Sequence, residues 1–269
     1  MMGERKRMLA EVFQDTIDYC VSPSTPTQSI PGVISYNSGY LDNLNIELKP
    51  RFETTEVIVE NEDTFRLTKR LIDEGKTTSK GVCALNNASA KNSGGGARNG
   101  ASAQEECLFR CSNYFLHIPQ ALYPLQNSEL LLSRDIWVFK DALDDYNRIQ
   151  PFNVNCIACA ARCGPKTAWN DTHNIEVYKY SKDRDIMRNK VEDIFKVAYL
   201  NNYDTLVLGA LGCGAFGNPP HEVAKIFLDT IKKYNKCFKT ISFAVLSFGK
   251  NQNYEIFKTH IEVASQSVL

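Results

Sequence analysis

A short, mostly apolar run, Gly81–Asn86, leads into Asn87-Ala88-Ser89-Ala90-Lys91-Asn92-Ser93 and then three consecutive glycines, Gly94, Gly95 and Gly96. Seven residues further on, Gln104-Glu105-Glu106 begins a stretch that reads as a helix from about Ser102 to Phe115. A run of this length between loop signals suits a buried parallel strand, so the segment predicts a strand–glycine loop–helix unit. Glycines allow a tight turn and a close backbone approach to a ligand without Cβ clashes. Loops at the carboxyl ends of strands are where open α/β sheets bind ligands, and a helix starting there offers free N–H groups to an anion.

The same alternation continues along the chain. Strands are predicted at Glu56–Glu60, Ile136–Lys140, Val154–Ala160, Thr205–Leu211 and Thr240–Phe248. Helices are predicted at residues 4–19, Asp63–Glu74, Arg184–Tyr199, His221–Tyr234 and Tyr254–Val263. Residues 20–53 are rich in Ser, Pro, Thr and Asn and read as irregular, with short strands around Val33–Tyr36 and Ile46–Leu48. Pro119–Ser133 reads as a long connection, and Glu129–Ser133 and Asp141–Asp145 as solvated acidic turns. Alternating strands and helices argue for an α/β sandwich on a mixed, mostly parallel sheet. Residues 1–55 are expected to form an N-terminal accessory cap on the same domain, and residues 56–269 the domain proper.

A second glycine loop, Gly212-Cys213-Gly214-Ala215-Phe216-Gly217, stands between the strand Thr205–Leu211 and the helix His221–Tyr234. It matches G-x-G-x-x-G in the required context. A dinucleotide fold would also need an acid closing the next strand, and Leu246-Ser247-Phe248-Gly249-Lys250 has none. A second diphosphate-facing loop, with Phe216 as an apolar wall, is the better reading.

Composition narrows the partners. Lys plus Arg and Asp plus Glu are each 31, so the formal charge is zero and no basic field favours generic nucleic-acid binding. The nine cysteines are odd in number, and no apolar secretory stretch follows the N-terminus. Nothing approaches the length of a membrane span. These features point to an intracellular, cytoplasmic protein, with a nuclear location open if the source is eukaryotic. Cys156-x2-Cys159-x3-Cys163 lacks a second ligand pair, and His117, His173, His221 and His260 are scattered, so no metal site is expected. Cys213 has no neighbouring His in sequence to activate it as a nucleophile.

Glu105 and Glu106 are adjacent, so on a helix they point about 100° apart. They cannot straddle a bond as opposed glycosidase carboxylates do. One must face the reacting bond while the other positions the ligand.

The pattern Gly94-Gly95-Gly96, seven residues, Gln104-Glu105-Glu106 resembles the signature of the bacterial-type poly(ADP-ribose) glycohydrolases. So do Asn87–Asn92, Asn99-Gly100-Ala101 and Leu208–Asn218, in the right order and separation. The resemblance implies a macrodomain-like three-layer α/β/α sandwich and release of ADP-ribose from poly(ADP-ribose), on ADP-ribosylated proteins, without cofactor. It implies Glu106 as catalytic acid and then base, and Glu105 as a holder of a ribose hydroxyl. It further implies Asn92 at the distal ribose, Gln104 at the ligand, and both glycine loops on the diphosphate with Phe216 against the distal ribose. The N-terminal part would cap the site and direct cleavage to chain ends. The chain departs from the family at Ser93, where Pro is usual, at Leu211, where Trp is usual, and at Ala158–Gly164. A mono-ADP-ribosyl hydrolase and a non-catalytic ADP-ribose reader stay open as alternatives.

Overall fold

The computed structural model describes residues 2–28, 30–247, 249 and 251–263. A long helix, α1 (Met2–Val21), precedes β1 (Ile34–Asn37) and the short α2 (Ser38–Asn43). Next come β2 (Glu56–Glu60), α3 (Thr64–Asp73), β3 (Val82–Asn87), α4 (Gln104–Cys111) and α5 (Tyr114–His117). The strands β4 (Glu129–Lys140) and β5 (Arg148–Cys159) follow, then a hairpin of β6 (Thr167–Asn170) and β7 (Ile175–Tyr178). The chain closes with α6 (Ser181–Leu200), β8 (Thr205–Leu208), α7 (Pro220–Lys233), β9 (Thr240–Ala244), α8 (Asn253–Phe257) and a wide π-helical turn, Lys258–Val263.

Seven strands form one sheet in the order β1-β4-β5-β3-β8-β9-β2. From β5 across to β2 every pairing is parallel. β4 is antiparallel to both of its neighbours. Strand alternation sends side chains into two apolar layers. Cys83, Leu85, Leu206 and Leu208 join the core shared with α6 and α7. Val82, Ala84 and Val207 join the core shared with α3 and α4. The result is the α/β/α sandwich expected from the alternating pattern.

Local chemistry sets the element ends. Asp63 caps α3, accepting from the amides of Phe65 (2.7 Å) and Arg66 (3.3 Å). Helix α1 lies across the face that carries α4. The buried Lys140 ammonium donates to the Val12 carbonyl (3.0 Å) and the Thr16 hydroxyl (2.7 Å), and pairs with Asp15. At Gly100 the approach is so close that a Cβ would fall 1.8 Å from the Lys6 carbonyl oxygen, and φ there is +72°. No side chain fits at this crossing.

Several expectations are corrected. Glu129–Ser133 is not a solvated turn but the first part of β4. Leu130, Leu131 and Leu132 are buried there because this strand lies inside the sheet with helices on both faces, which removes the alternation that would have marked it. The predicted helix from Ser102 to Phe115 breaks at Ser112, which turns extended and bridges to Val138. Ile46–Leu48 packs on the core as coil rather than strand. In Asp141–Asp145, Asp141 is held by a two-pronged bond from Arg66, at 2.5 and 2.9 Å. Strand β9 ends at Ala244, and Phe248, the expected last strand residue, lies outside the described residues. The hairpin β6–β7 carried no clear sequence signal.

Candidate active site

The carboxyl ends of β3, β5, β8, β9 and β2 converge on one cleft of about 600 Å³. Its walls come from the loops after those strands: Asn87 and Ala88, Ala161, Ala210–Gly212 and Gly214–Phe216, Val245 and Leu246, and Glu62–Thr64. Helix α1 adds Arg5, Met8 and Leu9, and the β4–β5 turn adds Asp145 and Tyr146. Neither contribution had a signal in the sequence, because both arrive by packing of remote segments. Arg110, fully buried on α4, ties the turn to the site by donating to the Tyr146 hydroxyl (3.0 Å) and the Ala101 carbonyl (2.7 Å).

The two glutamates stand in the first turn of α4, directly after the cleft-lining Gln104. Both are buried. Glu105 has its two oxygens engaged: Oε1 accepts from the Asn86 side-chain amide (3.2 Å) and Oε2 from the Ser89 backbone amide (2.7 Å). Glu106 is held by one oxygen only. Its Oε1 accepts from the Gly96 amide (2.9 Å), while Oε2 is buried without a hydrogen-bond partner among the described residues. Buried polar atoms are almost always paired, so such an exception distinguishes Glu106 from its fully paired neighbour Glu105.

The glycine triplet packs against the two glutamates. Its amides are spent inside the protein: Gly95 donates to the Asn92 carbonyl and Gly96 to Glu106. A Cβ at Gly95, where φ is +56°, would sit 2.4 Å from Glu106 Oε1 and 3.3 Å from Glu105 Oε2. Gly94, Gly95 and Gly96 therefore wrap the carboxylates. Ser93 uses the amide that the family's usual Pro would lack, donating to Gln120 Oε1 (3.0 Å). Asn92 is exposed at the start of this loop.

The second loop has the opposite character. Gly212, Gly214, Ala215 and Phe216 line the cleft, and among the described residues their amides donate to no protein acceptor. Asn218 shapes the loop. Its Nδ2 donates to the Gly212 (3.1 Å) and Arg162 (2.8 Å) carbonyls, and its Oδ1 accepts from the Tyr178 hydroxyl (2.9 Å). Amides gathered in a turn form an anion-binding concavity. Cys213 and Gly217 sit within the loop without lining the cleft, and burial pushes the Cys213 thiol well above its ordinary range, which disfavours a thiolate nucleophile.

Residues 23–141 match the family described as microbial-type PARG, catalytic domain. Among solved structures, the poly(ADP-ribose) glycohydrolase of Thermomonospora curvata is 25% identical, with 96% of this chain and 99% of that chain covered and a TM-score of 0.73. The Deinococcus radiodurans glycohydrolase in complex with ADP-ribose is 27% identical over 87% of this chain and 95% of that one, TM-score 0.72. A single-substitution variant of the Deinococcus enzyme, also with ADP-ribose, reaches 30% identity over 86% and 95%, TM-score 0.71. The chain belongs to the microbial-type poly(ADP-ribose) glycohydrolase family. No curated protein matches it.

With the family established, the remaining polar groups can be sorted. Gln104 of the glycohydrolase signature lines the cleft, but its side chain is occupied by the protein. Nε2 donates to the Leu85 carbonyl (2.7 Å) and the Thr64 hydroxyl (3.1 Å), and Oε1 accepts from the Asn87 amide (2.9 Å). It clamps the end of β3 to α4 and so fixes where the glutamates stand. Cys156 and Cys159 point into opposite layers of the sandwich and Cys163 is exposed, which separates the three thiols. Among the described residues no cluster of His, Cys, Asp or Glu could hold a metal ion, and no helix is long and apolar enough to cross a membrane.

Burial raises the Glu105 carboxyl to about 8; the Ser89 and Asn86 donors oppose the rise, and the neighbouring Glu106 adds to it. Glu105 is therefore protonated at neutral pH in the folded protein and ionised in the unfolded chain. A raised folded value means its contribution is fully present below about 4.5 and is lost as pH rises through about 8. Melting curves taken across that window should show wild type losing stability relative to Glu105→Gln as pH rises. Parallel curves for the two proteins would contradict the protonated state.

Proposed function

We propose that this poly(ADP-ribose) glycohydrolase removes ADP-ribose units from chain ends by acid–base chemistry at Glu106. The observation that carries the reading is the asymmetry of the glutamate pair. Glu106 is fixed through one oxygen and offers the other, whereas both Glu105 oxygens are held. Glu106 gives its proton to the 2′-oxygen of the leaving adenosine ribose as the bond from that oxygen to the anomeric carbon breaks. An oxocarbenium-like centre develops on the distal ribose. Water then attacks the anomeric carbon and returns a proton to Glu106, so one carboxyl acts first as acid and then as base. Glu105, neutral at pH 7, serves the ribose hydroxyls. Asn92 is assigned to the distal ribose.

The diphosphate is assigned to the Gly212–Gly217 loop alone, since the amides of Gly212, Gly214, Ala215 and Phe216 are open and those of Gly95 and Gly96 are used. Phe216 supplies the wall against the distal ribose. No cofactor has a part in this chemistry. Closure of the cleft by α1 and the β4–β5 turn supports attack at chain ends, because a continuing chain would have to pass Arg5, Met8 and Tyr146.

The test is product sizing. Poly-ADP-ribosylated protein should yield monomeric ADP-ribose from the first time point, with no early oligomers. Oligomers appearing first would overturn the chain-end assignment. Faster release from singly modified Ser, Asp or Glu than from polymer would move the enzyme to mono-ADP-ribosyl hydrolysis.

A further inference from the structure

The hairpin β6–β7 is absent from the chemistry above, yet it is fastened to the loop assigned to the diphosphate. At its base the Gly164 amide donates to the Phe216 carbonyl (2.9 Å), and Tyr178 of β7 donates to Asn218. Thr167 pairs with Tyr178 and Trp169 with Glu176, so Trp169 stands on the same face of the hairpin as Tyr178. Unlike Tyr178, Trp169 is 59% exposed. Tyr180, directly after β7, is 41% exposed, and the Lys179 and Lys182 ammonium groups lie 5.9 and 5.7 Å from its ring centre. Lys166 joins them across the hairpin base, where its carbonyl accepts from the Lys179 amide. Among the described residues none of these three lysines makes an ion pair, in contrast to Arg162, Arg184 and Arg188 nearby. A protein with no net charge thus carries three lysines without ion pairs and two exposed rings on and beside this hairpin.

We propose that this edge, Lys166, Trp169, Lys179, Tyr180 and Lys182, holds the part of the poly(ADP-ribose) chain that remains attached beyond the scissile bond. The inference rests on the glycohydrolase reading above. The bond to be cut joins the bound unit to the rest of the chain at the distal ribose, beside Phe216. The remainder must therefore leave the cleft past the structures anchored to that loop. Each of its repeats carries a diphosphate and an adenine, and a surface of lysines with exposed aromatic rings suits both. The hairpin would retain the chain between successive cuts.

The test uses the full chain on a Glu106→Gln background, so that polymer is bound without being consumed. Fluorescence anisotropy with labelled long poly(ADP-ribose) is expected to show about tenfold weaker binding for Trp169→Ala, from loss of one base stack. The triple variant Lys166→Ala/Lys179→Ala/Lys182→Ala should lower the slope of log affinity against log salt by about 2, at roughly 0.7 per phosphate contact. Calorimetric affinity for free ADP-ribose should be unchanged in both, which excludes a damaged cleft. Unaltered polymer binding overturns the proposal, as does an equal loss for free ADP-ribose. Single-stranded RNA of matched charge competing as well as the polymer would overturn the assignment to poly(ADP-ribose). If the otherwise unmutated enzyme releases no ADP-ribose, the functional reading fails, and the binding series still decides whether the hairpin holds the chain.

Discussion

Glu106→Gln is expected to abolish release of ADP-ribose from polymer, by at least about a hundredfold and up to about ten-thousandfold, the range set by a positioned acid–base group. The amide matches the carboxyl in shape. Its oxygen can still accept from the Gly96 amide, which holds Oε1 at 2.9 Å in the wild type. What it loses is the ability to give up a proton and take one back. Affinity for ADP-ribose should therefore stay within a few-fold of wild type, since the open amides of Gly212, Gly214, Ala215 and Phe216 are untouched. Initial-rate measurements on polymer, paired with calorimetry on ADP-ribose, decide the matter. Substantial turnover in the variant would remove Glu106 from the mechanism.

Gly95→Ala should be almost as damaging for a different reason. The residue sits at φ +56°, where a side chain costs roughly 1–3 kcal/mol in a strained backbone. The new Cβ would also lie 2.4 Å from Glu106 Oε1, so the carboxylate must move. A displacement near 1 Å at a catalytic group costs on the order of a hundredfold in rate. Gly75→Ala separates the two effects. Gly75 has φ +70° with nothing within 4 Å of an added Cβ, and it lies at the end of α3. It should lose stability by a similar amount and keep its specific activity. Loss of activity in both variants in proportion to unfolding would show that the glycine loop matters only for the fold.

The layered α/β architecture was legible because its parallel strands are short, mostly apolar runs and its helices show apolar stripes. Glu56–Glu60, for instance, was placed to the residue. The failures have two causes. Leu130-Leu131-Leu132 in β4 is covered on both faces, so it shows no period of two, and the acid and serine flanking it looked like a turn. The hairpin β6–β7 is only four residues on each strand and largely exposed, leaving no buried pattern to read.

The site was legible in its identities and less so in its assignments. At the carboxyl ends of the parallel strands the cleft is lined by Asn87, Gln104, Gly212, Gly214, Ala215 and Phe216, whereas Gly94–Gly96, Glu105 and Glu106 are not among the residues that line it. The sequence could not show that Gly95 and Gly96 spend their amides within the protein while those of Gly214–Phe216 stay open. Nor could it place Arg5, Met8 and Tyr146 at the cleft, since contacts between remote segments leave no local trace.

By itself, then, the sequence determined that a strand feeds a glycine loop and a helix opening on Glu105 and Glu106, because spacing and backbone freedom are local properties. Tertiary structure alone decided how each of the two carboxylates is held. Asn86 comes from the end of β3, Ser89 from the turn after it and Gly96 from the glycine loop. Hydrogen bonds are directional, so only the folded positions of these donors could fill both oxygens of Glu105 and leave one of Glu106 free.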